Sequence, residues 1–178
     1  MALYGAPVWY DALSRENKLV LRRAQRFLAV RVIRGYRTVS AEAALALAGS
    51  MPWDLDALVL AALYKWRGDQ RSHGQRPAPR EIEAERLRTE EDAFARWRER
   101  LADSTYGRRT TGAIAPAITK WVRRRHGRLT FRLTQVLSGH GCFGAYLFKI
   151  GREPTAECHH CHRCDEDTAQ HTLASCSA

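Results

Sequence analysis

The sequence predicts a mostly α-helical fold that ends in a small metal-binding knuckle. Apolar residues recur at helical spacing over much of the 178 residues, and serines, prolines and glycines stand where those runs begin and end. Four of the five cysteines crowd into the last 21 residues, around a histidine. The hydrophobic share of 45% is enough for a core in one ordinary domain plus an appendage.

Ser14 is an N-cap for a helix reaching Val32, along which Val20, Leu21, Ala24, Phe27 and Leu28 recur at helical spacing; Gly35 ends or follows it. On the same stretch Arg15, Lys18, Arg22 and Arg26 follow i, i+3, i+7, i+11, which lines four cations along one face. Eight basic residues and one acid, Glu16, stand between Arg15 and Arg37. The stripe reads either as a solvated face or as a phosphate-contacting surface. Ser40 then opens a short core helix with Ala43, Ala44, Leu45 and Leu47, and Gly49 closes it. Pro52 starts a second core helix through Leu55, Leu58, Val59, Leu63 and Trp66.

Residues 67–80 hold two prolines and two glycines with little periodicity, and read as a flexible linker. Residues 81–103 form a helix with eight acids and five arginines, whose sparse stripe of Ile82, Leu87, Phe94, Trp97 and Leu101 leaves it solvent-facing along most of its length. From Ser104 to Ile150 there are nine Lys or Arg residues and no acid. Within that block Trp121 and Phe131 alternate with Lys120, Arg123, Arg124, Arg125, Arg128 and Arg132, cations that can pair phosphates beside a ring that can stack on a base. The spacing of Phe131 to Val136 and Leu137 reads as core packing, while Trp121 stays open between core and contact roles. Gly139, Gly141 and Gly144 make a turn around His140, itself a turn or capping residue that can approach the metal unit. The organisation is then 1–66, a linker at 67–80, a basic helical region at 81–150, and the knuckle at 151–178.

Cys158, Cys161, His171 and Cys176 fall at Cys-x2-Cys-x9-His-x4-Cys, with Cys164 as a spare thiol. Four such ligands suit one tetrahedral, structural zinc ion. A disulfide pair or inert thiols account poorly for a histidine placed between cysteines in so polar a stretch. Knuckles of this kind commonly hold nucleic acid. Net charge of +10 and a pI near 9.9 make RNA or DNA the first candidate partner and an anionic membrane surface the second. Without an eighteen-residue apolar run or signal-peptide features, the expectation is a soluble, intracellular chain with reduced cysteines and no membrane partner. Cys142 reads as a small buried residue.

No catalytic constellation stands out. Four protein ligands close the zinc site, Asp165, Glu166 and Asp167 read as solvating its turn, and neither a lysine-bearing phosphate loop nor a His-Glu-x-x-His pair is present. The residues read as a binding module.

Three stretches carry a resemblance: ALYGAPVW at 2–9, QRFLAVRVIRGYRTVSAEAALALAG at 25–49, and LTQVLSGHGCFGAYLFKIGREPTAECHHC with DTAQHTLASC over 133–176. Together they resemble the region after the polymerase domain in non-LTR retrotransposon reverse transcriptases of the type inserted in arthropod ribosomal genes. The resemblance implies a thumb-like helical region followed by a linker and a Cys-Cys-His-Cys knuckle. It also implies a parent RNA-directed DNA polymerase that copies element RNA at a nicked chromosomal target, and hence a nuclear location. Cys158, Cys161, His171 and Cys176 match the family's knuckle ligands, and the extra thiol opens an alternative set of Cys161, Cys164, His171 and Cys176. The family's polymerase signature, an aromatic residue followed by x-Asp-Asp, has no counterpart here. The implied role is a zinc-bound fragment holding RNA or RNA–DNA near an absent active site, in company with the polymerase core or an intact element protein. A zinc-stabilised protein-interaction module and a functionless remnant of a degenerate element are the alternatives.

Overall fold

A computed structural model of the chain describes residues 3–127, 129–161 and 164–177. Every regular element among them is helical. The α-helices in order are α1 (Ala6–Trp9), α2 (Arg15–Val32), α3 (Ala41–Ala48), α4 (Trp53–Ser72), α5 (Pro79–Ala102), α6 (Arg108–Ile114), α7 (Ile118–Arg123), α8 (Phe131–Ser138), α9 (Gly144–Lys149) and α10 (Ala169–Ala174), with single 3-10 turns at Tyr10–Ala12 and Ala115–Ala117. No single helix among the described residues is long and apolar enough to cross a membrane.

Helix α3 is the hub. Ala43 through Leu47 are all buried, as a helix enclosed by others requires. Ser40 caps its start by accepting from the Ala43 N–H, and Gly49 ends it in the left-handed conformation. Around α3 pack α2 and α6, and a core of Ile33, Leu45, Leu47, Leu55, Trp97, Leu101 and Ile118 joins them to α4, α5 and α7. Gly107, at φ +73°, brings the turn after α5 against α3; a Cβ there would meet the Ser40 Oγ at 2.5 Å.

The stretch expected to be a linker is largely helical. α4 continues to Ser72 and α5 begins at Pro79, because the run from Arg67 to Ser72 contains no proline and its single glycine is a tolerable cost in a helix. The two helices pack antiparallel, with Arg100 forked onto Asp54 at 2.7 and 3.1 Å. That pairing draws α5 inward, so the helix expected to be mostly solvent-facing buries Thr89, Ala93, Phe94, Trp97 and Leu101.

Helix α2 docks through the opposite face from the one its apolar spacing predicts. Gln25, Ala29 and Ile33 point inward, whereas Val20 and Phe27 are 62% and 57% exposed, with Leu28 and Val32 beside them. The cause is backbone polarity in the neighbouring turns. Gln25 donates to Ser50 Oγ and Met51 O and accepts from the Trp53 N–H, while Arg26 donates to the carbonyls of Arg37 and Val39. These turn groups need hydrogen bonds, and only the polar stripe of α2 supplies them.

The C-terminal elements hang from this bundle by side-chain to backbone bonds. Thr110 Oγ1 donates to Leu137 O and Thr134 Oγ1 to Ile33 O, both at 2.9 Å. A second, smaller apolar cluster of Phe143, Tyr146 and Ala169, packed by Val136 and Leu147, joins α8, α9 and α10.

Candidate metal centre and nucleic-acid interface

The knuckle is built from a tight turn at Cys158–Cys161 and the start of α10, where Thr168 caps the helix by accepting from the His171 N–H. The sequence folds this way because Cys158 N–H donates to Cys164 O at 3.1 Å, closing the loop that carries the first two cysteines. The ligand atoms of Cys158, Cys161, His171 and Cys176 all lie within 4.8 Å of one another. Cys158 Sγ is 3.9 Å from Cys176 Sγ, and Cys161 Sγ is 3.4 Å from His171 Nε2. A tetrahedral zinc with bonds of about 2.0–2.3 Å requires ligand–ligand edges of roughly 3.5–3.8 Å, whereas a disulfide requires about 2.05 Å. The donor set and its spacing therefore fit zinc.

The Cys158 thiol is pulled down to about 6, first by the Cys161 backbone N–H against the opposing effect of burial, then by the His160 N–H and the side chains of His171 and Cys161. The shift favours the thiolate, the form that binds metal. Cys164 lies outside the group of four; its sulfur faces the Glu166 carbonyl at 3.3 Å.

Asp167 does not solvate the turn, as its sequence neighbourhood suggests. It is buried, accepts from the Gly144 N–H at 2.9 Å and from Thr172 Oγ1 at 3.0 Å, and so latches the knuckle to α9. Gly144 is required at that latch, since a Cβ would sit 2.8 Å from the carbonyls of Ala156 and Glu157. No sequence periodicity announces either residue. His140 lies against Tyr146, with centroids 4.7 Å apart, and bonds Thr38 Oγ1 through Nδ1; burial and Lys149 lower its pKa. Cys142, expected to be buried, is exposed in the glycine-rich turn before α9.

The basic residues divide into two groups. Arg22 pairs with Glu42 at 2.6 Å, Arg26 holds two backbone carbonyls, Arg123 reaches Glu90 at 3.5 Å and lies over Phe94, and Arg124 covers Trp121. Arg15, Lys18, Lys120, Arg125 and Arg132 are exposed and have no ion pair with the described residues. Arg128 lies outside the described residues.

The structure decides between core and surface for both aromatics of this region. Trp121 packs against the core and donates from Nε1 to Ala46 O at 2.8 Å. Phe131, expected in the core, opens α8 with 44% of its surface exposed, and its ring lies 6.2 Å from that of Tyr36. Tyr36 and Phe131 are distant in sequence, so no local pattern pairs them.

Several known proteins are similar to this chain. A Retrovirus-related Pol polyprotein from type-1 retrotransposable element R1 2 of Nasonia vitripennis is 33% identical over 98% of this chain and 43% of its own length. A putative 115 kDa protein in type-1 retrotransposable element R1DM of Drosophila melanogaster is 33% identical over 88% of this chain and 16% of its own. A Retrovirus-related Pol polyprotein from type-1 retrotransposable element R1 of Bradysia coprophila is 32% identical over 97% and 18%. The chain thus spans less than half the length of these relatives. No protein-family model and no solved structure matches it.

Proposed function

Since this chain is related by descent to one part of the Pol polyproteins of R1-type retrotransposable elements, we propose that it is a nucleic-acid-holding region of such a polymerase, without a catalytic centre of its own. The parent polypeptide is then an RNA-directed DNA polymerase, and this region keeps RNA or an RNA–DNA hybrid near an active site supplied by other parts of the protein. The observation that carries the reading is the distribution of uncommitted cations. Lys120, Arg125 and Arg132 stand exposed in a segment without acids, Arg15 and Lys18 stand exposed on α2, and none of the five forms an ion pair with a described carboxylate. Arg22, Arg26, Arg123 and Arg124 serve the scaffold instead.

Zinc held by Cys158, Cys161, His171 and Cys176 would cross-link the 158–161 turn to α10. All four positions come from protein, so its contribution is structural.

The test is fluorescence anisotropy of the zinc-loaded chain with single-stranded RNA between about 50 and 200 mM salt, against a variant with Arg15, Lys18, Lys120, Arg125 and Arg132 all changed to alanine. Each phosphate that the variant no longer neutralises should flatten the log–log salt slope by about 0.7 unit. Absence of binding in a monodisperse sample, or an unchanged slope in a folded variant, overturns the reading. A zinc-stabilised protein-interaction module is the second reading, favoured by the exposed apolar face of α2. It predicts tight zinc binding with little salt-dependent affinity for polynucleotides.

A further inference from the structure

A recess of about 550 Å³ opens between the turn after α2 and the start of α8, lined by Val32, Arg34, Arg124, Leu129, Thr130 and Phe131 among others. Its size lies within the usual range for small-ligand sites, roughly 300–1,000 Å³. No acid lines it. The cations and carbon surfaces that do are the pairing a nucleotide presents in reverse: a phosphate charge beside a flat base.

Three features make this more than a gap between helices. Phe131 and Tyr36 form the corner of an aromatic platform, with rings tilted 41° and each more than a third exposed, although burial is the usual fate of such rings. Tyr36, which adjoins the recess through the Phe131 ring, is held by the Tyr146 ring at 5.8 Å and by Gln135 Nε2, which donates to its hydroxyl at 3.3 Å, so the platform is set in place before any ligand arrives. Arg34 beside it is the one described non-glycine residue with positive φ, at +53°. That left-handed turn ends α2, with Gly35 N–H donating to Val30 O at 2.9 Å, and it leaves the exposed Arg34 side chain without an ion pair or hydrogen bond to the described residues, a cation that the bundle itself does not use.

We propose that this recess is a stacking site for one unpaired nucleotide of a single strand: the base lies on Phe131 beside Tyr36, and its phosphate meets Arg34. A paired base cannot reach the ring, so the site selects single strands over duplex. The proposal rests on the nucleic-acid reading above and adds the place and manner of base contact.

The experiment uses the zinc-loaded full chain with single-stranded RNA and DNA oligonucleotides carrying 2-aminopurine, whose fluorescence is quenched on stacking, and reads quenching and anisotropy together over a salt series. Phe131→Leu keeps an apolar side chain without a ring face; it should weaken binding roughly ten- to hundredfold, abolish quenching and leave the salt slope unchanged. Phe131→Trp should restore both affinity and quenching, and Arg34→Gln should flatten the slope by about 0.7 unit, the share of a single phosphate. If the wild-type chain binds neither strand, both this site and the nucleic-acid reading fall. If it binds with a steep slope while Phe131→Leu keeps full affinity and quenching, the stacking site alone falls. Quenching with RNA, DNA or both supports the site and identifies the strand it takes; quenching with neither overturns it. Should thermal melts show that Phe131→Leu does not fold, Arg34→Gln decides, and an unchanged slope in that variant overturns the proposal.

Discussion

Burial in the recess between α4, α5 and α7 pushes the Asp56 carboxyl up to about 6, and the nearby charges of Glu90 and Asp54 add to the rise. A folded-state pKa above the unfolded value of 3.8 means that the native state binds the proton more tightly. The stability that protonated Asp56 contributes is therefore fully present below about pH 4 and is lost as pH rises to about 6. Asp56→Asn, which stays neutral, should stabilise the chain at pH 7 by about 1 kcal/mol after a discount for partial exposure, or about 2–4 °C in Tm, and change it little at pH 4. Thermal melts at the two pH values check this, and an equal effect at both would remove the electrostatic explanation. The same division between local chemistry and distant context governs what single residues disclosed in the sequence. Cys158, Cys161, His171 and Cys176 were legible because ligand spacing is a local property. Phe131 was misplaced in the core and Trp121 stayed undecided because each is set by a partner far along the chain, Tyr36 for one and Ala46 O for the other.

At the level of elements, the starts of α2 and α3 were legible, as were the buried residues of α3 and of the later turns of α5, but the buried face of α2 was not. Ser14 and Ser40 cap the helices their positions predict. The apolar spacing of α2 pointed to a buried stripe, yet the turns after α2 and α3 demanded hydrogen bonds that only Gln25 and Arg26 answer. The knuckle raises the opposite question of how little holds an element. Among the described residues α9 and α10 share a cluster of three buried apolar residues, Phe143, Tyr146 and Ala169, whereas the bundle has its own extensive core. A unit with so small a core would depend on the cross-link that a bound zinc supplies. Stripping zinc with a chelator should release amide protection across 144–176 and leave α2 to α5 protected, as read by hydrogen exchange. Asp167→Ala should loosen the same segment with metal present, because it leaves the Gly144 N–H without its acceptor. Protection that disappears evenly along the whole chain would show that the knuckle and bundle fold as one unit.

Over the whole molecule two surfaces compete. The net charge of +10 drives copies of the chain apart, while the outward stripe of Val20, Phe27, Leu28 and Val32 on α2 offers apolar area for contact. Composition disclosed the first and concealed the second, since those four residues count toward the 45% hydrophobic share that the sequence assigns to a core. Salt separates the two forces. Repulsion between like-charged copies is screened over about 10 Å at 0.1 M and about 3 Å at 1 M, whereas apolar association is not weakened by screening. The chain should therefore self-associate more as salt rises, under the same conditions in which its grip on a polynucleotide weakens. Sedimentation velocity at low and high salt should show a growing share of larger species for the wild type. The double variant Val20→Ser with Phe27→Ser should stay monomeric and keep its helical signal, because neither side chain belongs to the buried core. A wild-type chain that remains monomeric at high concentration and high salt would mean that this stripe is too small or too interrupted by Arg31, which lies over the Phe27 ring at 4.3 Å, to act as a contact surface.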